Sequence, residues 1–269
     1  MTRLTSDDIK GVPRDEVDLD SKLMSAAGIT VKDLACMSAG LPKDTDLSSF
    51  RVACVPITSG LGVIGGFSDS VNAIVGRLGM DSFVTSGTDV NGFTEGVRNG
   101  ADIVMMADDD MFVAYNVHAN RMVDNSYGTA LGYSVALKAA AGGLEGKQVL
   151  VVGAGFVGSR AACILKHMGA DVGIVDVIRE KAVKAAESCG VKVFDDTEQA
   201  ISAHKLVLNA APYKIPGKVI AEGSIISSPG VPHYFDELGR KKAKAIIHDP
   251  LEIGTAVMAV GAAAFTIRG

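Results

Sequence analysis

The strongest constraint in this chain is a turn. Residues 147–152 (Lys-Gln-Val-Leu-Val-Val) form a short apolar run that passes directly into Gly153-Ala-Gly-Phe-Val-Gly158. A run of that length with little alternation reads as a strand buried on both faces of a parallel sheet. Apolar residues at Val157, Ala161, Ile164, Leu165 and Met168 then recur at helical spacing. Residues 171–176 (Asp-Val-Gly-Ile-Val-Asp) repeat the strand pattern and end on Asp176, eighteen residues beyond Gly158. Strand, G-x-G-x-x-G, helix, and a second strand closed by an acid point to a dinucleotide-binding turn, the alternative being a tight βα turn that binds nothing. The glycines let the backbone approach a pyrophosphate, whose charge meets free N–H groups at the positive end of a helix. Gly153, Ala154, Gly155, Phe156, Val157 and Gly158 are therefore the candidate cofactor loop, and Asp176 the candidate acceptor of the adenosine ribose hydroxyls. A carboxylate there repels a 2′-phosphate, so the sequence predicts NAD over NADP, with Arg179 the one nearby cation.

Strands alternate with helices on both sides of this turn. Later strands are expected at 191–194, 205–209, 224–227 and 245–248, with a helix at 179–189. In the first half, strands are expected at 51–57, 82–85 and 102–107, and helices at 68–78, 90–99 and 128–141. Residues 1–40 read as helical throughout, and 253–267 as an Ala-rich helix. This alternation predicts an α/β fold. An N-terminal helical segment and small α/β substrate domain (1–143) precede a doubly wound Rossmann-type dinucleotide-binding domain (144–252). The C-terminal helix (253–269) packs back on the first domain. Residues 141–146 are the hinge candidate, with a cleft expected between the domains.

Composition removes several function classes. A net charge of −5 and no dense cluster of Lys or Arg leave no electrostatic footprint for nucleic acid. No apolar stretch is long enough to span a bilayer, and the charged N-terminus lacks a secretory core, so no membrane partner and a cytoplasmic location are expected. The five histidines show no H-x-x-x-H spacing, and no metal site is expected. Cys36, Cys54, Cys163 and Cys189 show no CxxC pair and read as reduced thiols. The expected partner is a small-molecule substrate, and a homodimer is left open.

Other places along the chain also carry chemistry-bearing residues. A second glycine run, residues 60–65 (Gly-Leu-Gly-Val-Ile-Gly), follows a strand, but no acid closes the next one. Hydroxyls flank it at Thr58, Ser59 and Ser68. Free N–H groups and hydroxyls at a helix start suit a small anion or amide carbonyl; a flexible turn with Ser68 as N-cap fits equally. The run 102–107 ends in Asp108-Asp-Asp110, and a carboxylate at a strand's carboxyl end could hold an ammonium group or steer protons. The alternative is a solvated acidic turn. Asn209, Ala210, Ala211 and Pro212, and Ser228, Pro229 and Gly230, each follow a strand of the second half. They read as walls of a nicotinamide pocket, or as prolines that terminate strands.

Taken together, these segments resemble the pyrrolysine synthases. The resemblance is carried by residues 55–74 (Val-Pro-Ile-Thr-Ser-Gly-Leu-Gly-Val-Ile-Gly-Gly-Phe-Ser-Asp-Ser-Val-Asn-Ala-Ile). It extends through 81–83, 99–101, 106–109, 149–153, 228–232 and 250–256 (Pro-Leu-Glu-Ile-Gly-Thr-Ala). The resemblance implies NAD-dependent oxidation of the terminal amine of (3R)-3-methyl-D-ornithyl-N6-L-lysine. Ammonia leaves, and a pyrroline ring closes to give L-pyrrolysine. It further implies that Thr58, Ser59, Phe67, Ser68 and Asp108 line the substrate pocket, with Asp108 catalytic, and that the N-terminal helices help close over the substrate. Leu61 and Gly66 depart from the family pattern, which bears on the pocket's shape.

A second reading is another two-domain NAD(P)-dependent dehydrogenase of the shikimate dehydrogenase type, whose chemistry leans on a Lys–Asp pair. Residues 58–68 contain no Lys, and none adjoins Asp108. A third is a non-catalytic NAD sensor, which would bind cofactor and reduce none.

Overall fold

A computed structural model describes residues 16–62 and 64–268. The N-terminal expectation before Glu16, and Val63 of the second glycine run, lie outside the described residues. The chain divides into two compact units. One takes the residues through Asp20, Thr30–Thr129 and Pro250–Gly269; the other takes Ser21–Ile29 and Ala130–Asp249.

In the first unit β1 (Arg51–Val55), β2 (Asp81–Val84), β3 (Ile103–Ala107), β4 (Phe112–Asn116) and β5 (Arg121–Asp124) form one sheet of order β2-β1-β3-β4-β5. β1 pairs in parallel with both β2 and β3, so the carboxyl ends of all three open on one edge. Apolar Val52, Ala53, Cys54 and Val55 are all buried, as a central strand requires. Sequence periodicity does not anticipate β4 and β5, which pair antiparallel with β3 and with each other. The first unit's sheet is therefore mixed, and the Asp108-Asp-Asp110 segment is a hairpin turn, not the start of a helical crossover.

α1 (Glu16–Ala27) passes into the second unit from Ser21 on; α2 (Val31–Ser38), α3 (Phe67–Arg77) and α4 (Asp89–Arg98) belong to the first, with α3 packed on β1 and β2 and α4 on β1 and β3. The helical stretch expected before residue 40 is interrupted: Thr30 caps α2 through a capping box with Asp33, which fixes a new helix start there. α3 begins at Phe67 behind Gly66, whose φ of 81° suits glycine, so Ser68 lies inside the first turn and is not the N-cap. The C-terminal helix, which follows in chain order after the second unit, spans Glu252–Ile267 and packs on α2, α3 and β3 to β5. Its small residues allow close approach, and buried Glu252 is neutralised by Arg77 at 2.9 Å.

In the second unit β6 (Gln148–Val152), β7 (Asp171–Val175), β8 (Lys192–Val193), β9 (Leu206–Asn209), β10 (Ile225–Ser227) and β11 (Ala245–Ile247) form an all-parallel sheet of order β11-β10-β9-β6-β7-β8. The chain winds outward from β6 in one direction and then restarts at β9 in the other, which places a switch point at the carboxyl end of β6. α5 (Asn125–Ala140) enters this unit, and α6 (Phe156–His167), α7 (Arg179–Cys189), α8 (Thr197–Ala203) and α9 (Glu237–Lys242) make the crossovers. α6 and α7 pack side by side, which brings Cys163 and Cys189 together as a disulfide with Cα atoms 4.8 Å apart. The expectation of four reduced thiols is corrected: spacing along the chain does not register a pair made by two neighbouring helices. Cys36 and Cys54 are free and buried.

Candidate active site

The first unit gathers its chemistry-bearing loops on the edge where β1, β2 and β3 end. Thr58, past β1, donates from its backbone N–H to Asp89 Oδ1 at 2.8 Å and from its hydroxyl to Asp89 Oδ2 at 2.5 Å. These bonds hold the Asp89 carboxyl below its ordinary range, the hydroxyl contributing most. Asp89 opens α4 with φ of 52°, an unusual value for a residue with a side chain. Asp109, past β3, accepts from Leu61 N–H at 2.7 Å. Gly60 is required here, because its φ is 69° and an added Cβ would overlap the Asp109 carboxylate. Two carboxylates thus pin the 58–62 segment from both sides.

Asp108 is exposed, and its Oδ1 accepts from Asp110 and Met111 N–H at 2.9 and 2.7 Å. One oxygen therefore shapes the hairpin turn. Ser59 and Thr58 are exposed, and Ser68 is half-buried on α3. Phe67 sits edge-on to buried Phe112, with ring centroids 5.3 Å apart, which ties the start of α3 to β4. Thr58 and Ser59, and Phe67 and Ser68, therefore lie at the two ends of one loop, which Asp109 joins to the Asp108 turn. Asp89 was missed by sequence reading. Its signal was an acid at a helix start, and the partner that gives it meaning stands 31 residues away.

In the second unit the 153–158 turn joins β6 to α6. Gly153 has φ of 94°, and a Cβ on it would meet Ala211 Cβ at 2.9 Å; a Cβ on Gly158 would overlap Gly153 O. Both glycines are therefore sterically required. Gly155 caps α6 with no side-chain acceptor, which leaves the first N–H groups of the helix to a ligand or solvent. Asp176, at the end of β7, accepts from Ala154 N–H at 2.6 Å and Ile178 N–H at 2.8 Å. Arg179 is drawn to Asp195 at 2.7 Å. Phe156 and Val177 stand exposed beside the turn.

Asn209 through Pro212 and Ser228 through Gly230 lie backbone to backbone. Gly230 N–H donates to Asn209 O at 3.1 Å, and a Cβ on Gly230 would overlap Ala211 O. The buried Asn209 amide reaches Ser228 Oγ at 3.4 Å, and Ser228 N–H donates to Ile247 O. A cradle that any Cβ would fill, an uncapped helix start and a strand-end carboxylate together fit a dinucleotide.

The family model "Pyrrolysine biosynthesis protein PylD, N-terminal domain" matches residues 8–123, and "Alanine dehydrogenase/PNT, C-terminal domain" matches residues 124–221. The chain is 35% identical over 268 residues to the pyrrolysine synthase of Methanosarcina acetivorans, covering 96% of this chain and 98% of that one. It is 36% identical over 265 residues to that of Methanosarcina barkeri, covering 96% and 97%. Among solved structures, quinate dehydrogenase from Corynebacterium glutamicum in complex with NAD aligns with a TM-score of 0.53 at 15% identity, covering 81% of this chain and 94% of that one. Shikimate 5-dehydrogenase from Thermus thermophilus in complex with NADP(H) and shikimate aligns with a TM-score of 0.52 at 16% identity, covering 81% and 99%. At such identities these two show the shared α/β fold.

Proposed function

The chain belongs to the pyrrolysine synthase family, and from that premise we propose that it makes L-pyrrolysine by NAD-dependent oxidation of (3R)-3-methyl-D-ornithyl-N6-L-lysine. The terminal amine carbon is oxidised to an imine or semialdehyde, ammonia is released, and the ornithine α-amine closes the pyrroline ring. What carries the reading is the relatedness along nearly the whole chain to two pyrrolysine synthases.

NAD supplies the two-electron acceptor. Residues 153–158 would hold its pyrophosphate through backbone N–H groups at the start of α6, and Asp176, whose carboxylate is oriented by Ala154 and Ile178 N–H, would accept the adenosine ribose hydroxyls. Asp176 also disfavours a 2′-phosphate, and the pairing of Arg179 with Asp195 supports NAD over NADP, because the nearby cation is already engaged. Asn209 through Pro212 and Ser228 through Gly230 border the nicotinamide. Residues 1–143 serve the substrate and 144–252 the dinucleotide, with 253–269 completing the substrate domain.

On the substrate side, Thr58, Ser59, Phe67 and Ser68 shape the pocket, and Asp108 holds an amine of the ornithine part. An amine must be uncharged to lose hydride, so a base has to take its proton. Asp108 spends one oxygen on its own turn, which fixes the direction of the carboxylate. The enzyme works in the cytoplasm; no described helix is long and apolar enough to cross a membrane.

The competing shikimate-type reading is separated by substrate. The full chain is given NAD with either the isopeptide or shikimate, and formation of reduced nicotinamide is followed by absorbance. Turnover with the isopeptide alone is expected; turnover with shikimate would overturn the assignment.

A further inference from the structure

Two histidines that the function has not absorbed fasten the segment read here as bordering the nicotinamide. His233 and His248 stack face to face, with centroids 3.7 Å apart and ring planes 11° apart. His248 directly follows β11, and its Nδ1 lies 2.7 Å from the carbonyl oxygen of Ser228. A carbonyl only accepts, so Nδ1 carries the proton and donates. His233 leans on Phe235 at 4.9 Å, and its Nδ1 is buried with no hydrogen-bond partner among the described residues. A bare lone pair of a neutral ring is tolerable in that position. A charged, unsatisfied N–H is far more costly.

The surroundings also keep the rings neutral. Among the described residues, the Arg240 charge acts on both rings and the Lys22 charge on His248, each disfavouring a charged imidazole. Asp236, next to Phe235, has both carboxylate oxygens engaged by backbone, accepting from Gly217 and Gly239 N–H. Burial, with help from the His248 ring, pushes His233 down to about 3, and burial holds His248 below its ordinary value against the opposing effect of the Ser228 bond. Two imidazolium rings at stacking distance would repel.

We propose that the stacked His233–His248 pair is a positioning element for the nicotinamide end of the cofactor. Through the bond to Ser228 it holds the 228–230 turn in its binding shape, and charging the stacked rings loosens the seat from which His248 makes that bond. The proposal rests on the reading that this turn borders the nicotinamide.

The test is calorimetric titration of the full chain with NAD and, separately, with ADP-ribose, which lacks the nicotinamide. His248→Phe keeps an aromatic ring and removes the donor; it is expected to weaken NAD by about fivefold, the worth of one hydrogen bond, and leave ADP-ribose unchanged. His248→Asn can offer an amide N–H to the same carbonyl and is expected to restore NAD affinity. As the pH falls below the ordinary histidine range and through the depressed range of the pair, the parent chain should lose NAD affinity, with ADP-ribose constant and His248→Asn insensitive. The proposal is overturned if His248→Phe binds NAD as tightly as the parent, or if NAD and ADP-ribose weaken together. It is equally overturned if His248→Asn shows the parent's loss in acid, and that comparison decides the matter should His248→Phe fail to fold. A parent chain that binds neither ligand at any pH overturns the cofactor reading and this proposal with it.

Discussion

Asp89 clasps Thr58 with both carboxylate oxygens, one on the backbone N–H and one on the hydroxyl. The clasp crosses from the carboxyl end of β2 to that of β1 and sets the direction of the 58–62 segment, which Asp109 holds from the far side. Replacing Asp89 by Ala frees the segment that presents Thr58 and Ser59. Turnover of the isopeptide is expected to fall by about tenfold or more, with the fold retained by circular dichroism. The sign with pH follows from the lowered carboxyl: the clasp is complete above the ordinary carboxylate range and is lost only as the pH falls through the depressed value. Activity should therefore not decline from this cause near neutral pH, which a pH–rate profile checks.

Asp176 governs the choice of dinucleotide. The parent chain is expected to prefer NAD over NADP by roughly a hundredfold or more in kcat/KM, because a 2′-phosphate would face a carboxylate. Asp176→Ser should narrow that ratio by weakening NAD. Releasing Arg179 as well, by Asp195→Ala, should narrow it further, since the guanidinium then becomes available to a phosphate. Steady-state kinetics with both cofactors measures the ratio.

Gly158 has no room for a side chain, because a Cβ there would overlap the carbonyl of Gly153. Gly158→Ala must push α6 away from the turn. NAD affinity is expected to drop by about tenfold or more while the remainder of the Rossmann unit stays folded. Calorimetric titration reads the affinity and thermal unfolding reads the fold.

The Cys163–Cys189 disulfide closes a loop of 26 residues between two helices that flank the cofactor turn. On the chain-entropy estimate such a link stabilises by about 3 kcal/mol. A reductant, or Cys163→Ser, is expected to lower Tm by several degrees. Peptide mass mapping without reductant should recover the two cysteines in one linked peptide.

The parts of the fold carried by local pattern were legible from sequence. The valine-rich runs of β6 and β7, the glycine turn and Asp176 all lie within thirty residues, and each is intelligible from its neighbours alone. The β4–β5 hairpin was not, because Phe112-Val-Ala-Tyr-Asn116 lacks clear alternation and its turn uses Asn120 at φ of 52° with no Asn-Gly signal. Ser68 looked like a cap because its hydroxyl suits one, yet the backbone of Gly66 takes that place. Thr58, Ser59, Phe67, Ser68 and Asp108 were named together through family resemblance. The clasps that organise them, Asp89 on Thr58 and Asp109 on Leu61, join residues 31 and 48 apart, beyond the reach of any local pattern. The stacked histidines and the disulfide were hidden for the same reason.

The central claim is that this chain oxidises an amine-bearing carbon and closes a ring. Mass spectrometry of the product, after the full chain is incubated with the isopeptide and NAD, tests it most directly. The account requires a product lighter than the substrate by one ammonia and two hydrogens, formed in step with reduced nicotinamide. An isopeptide recovered at its original mass, or one that has lost ammonia with no reduced cofactor, would contradict it.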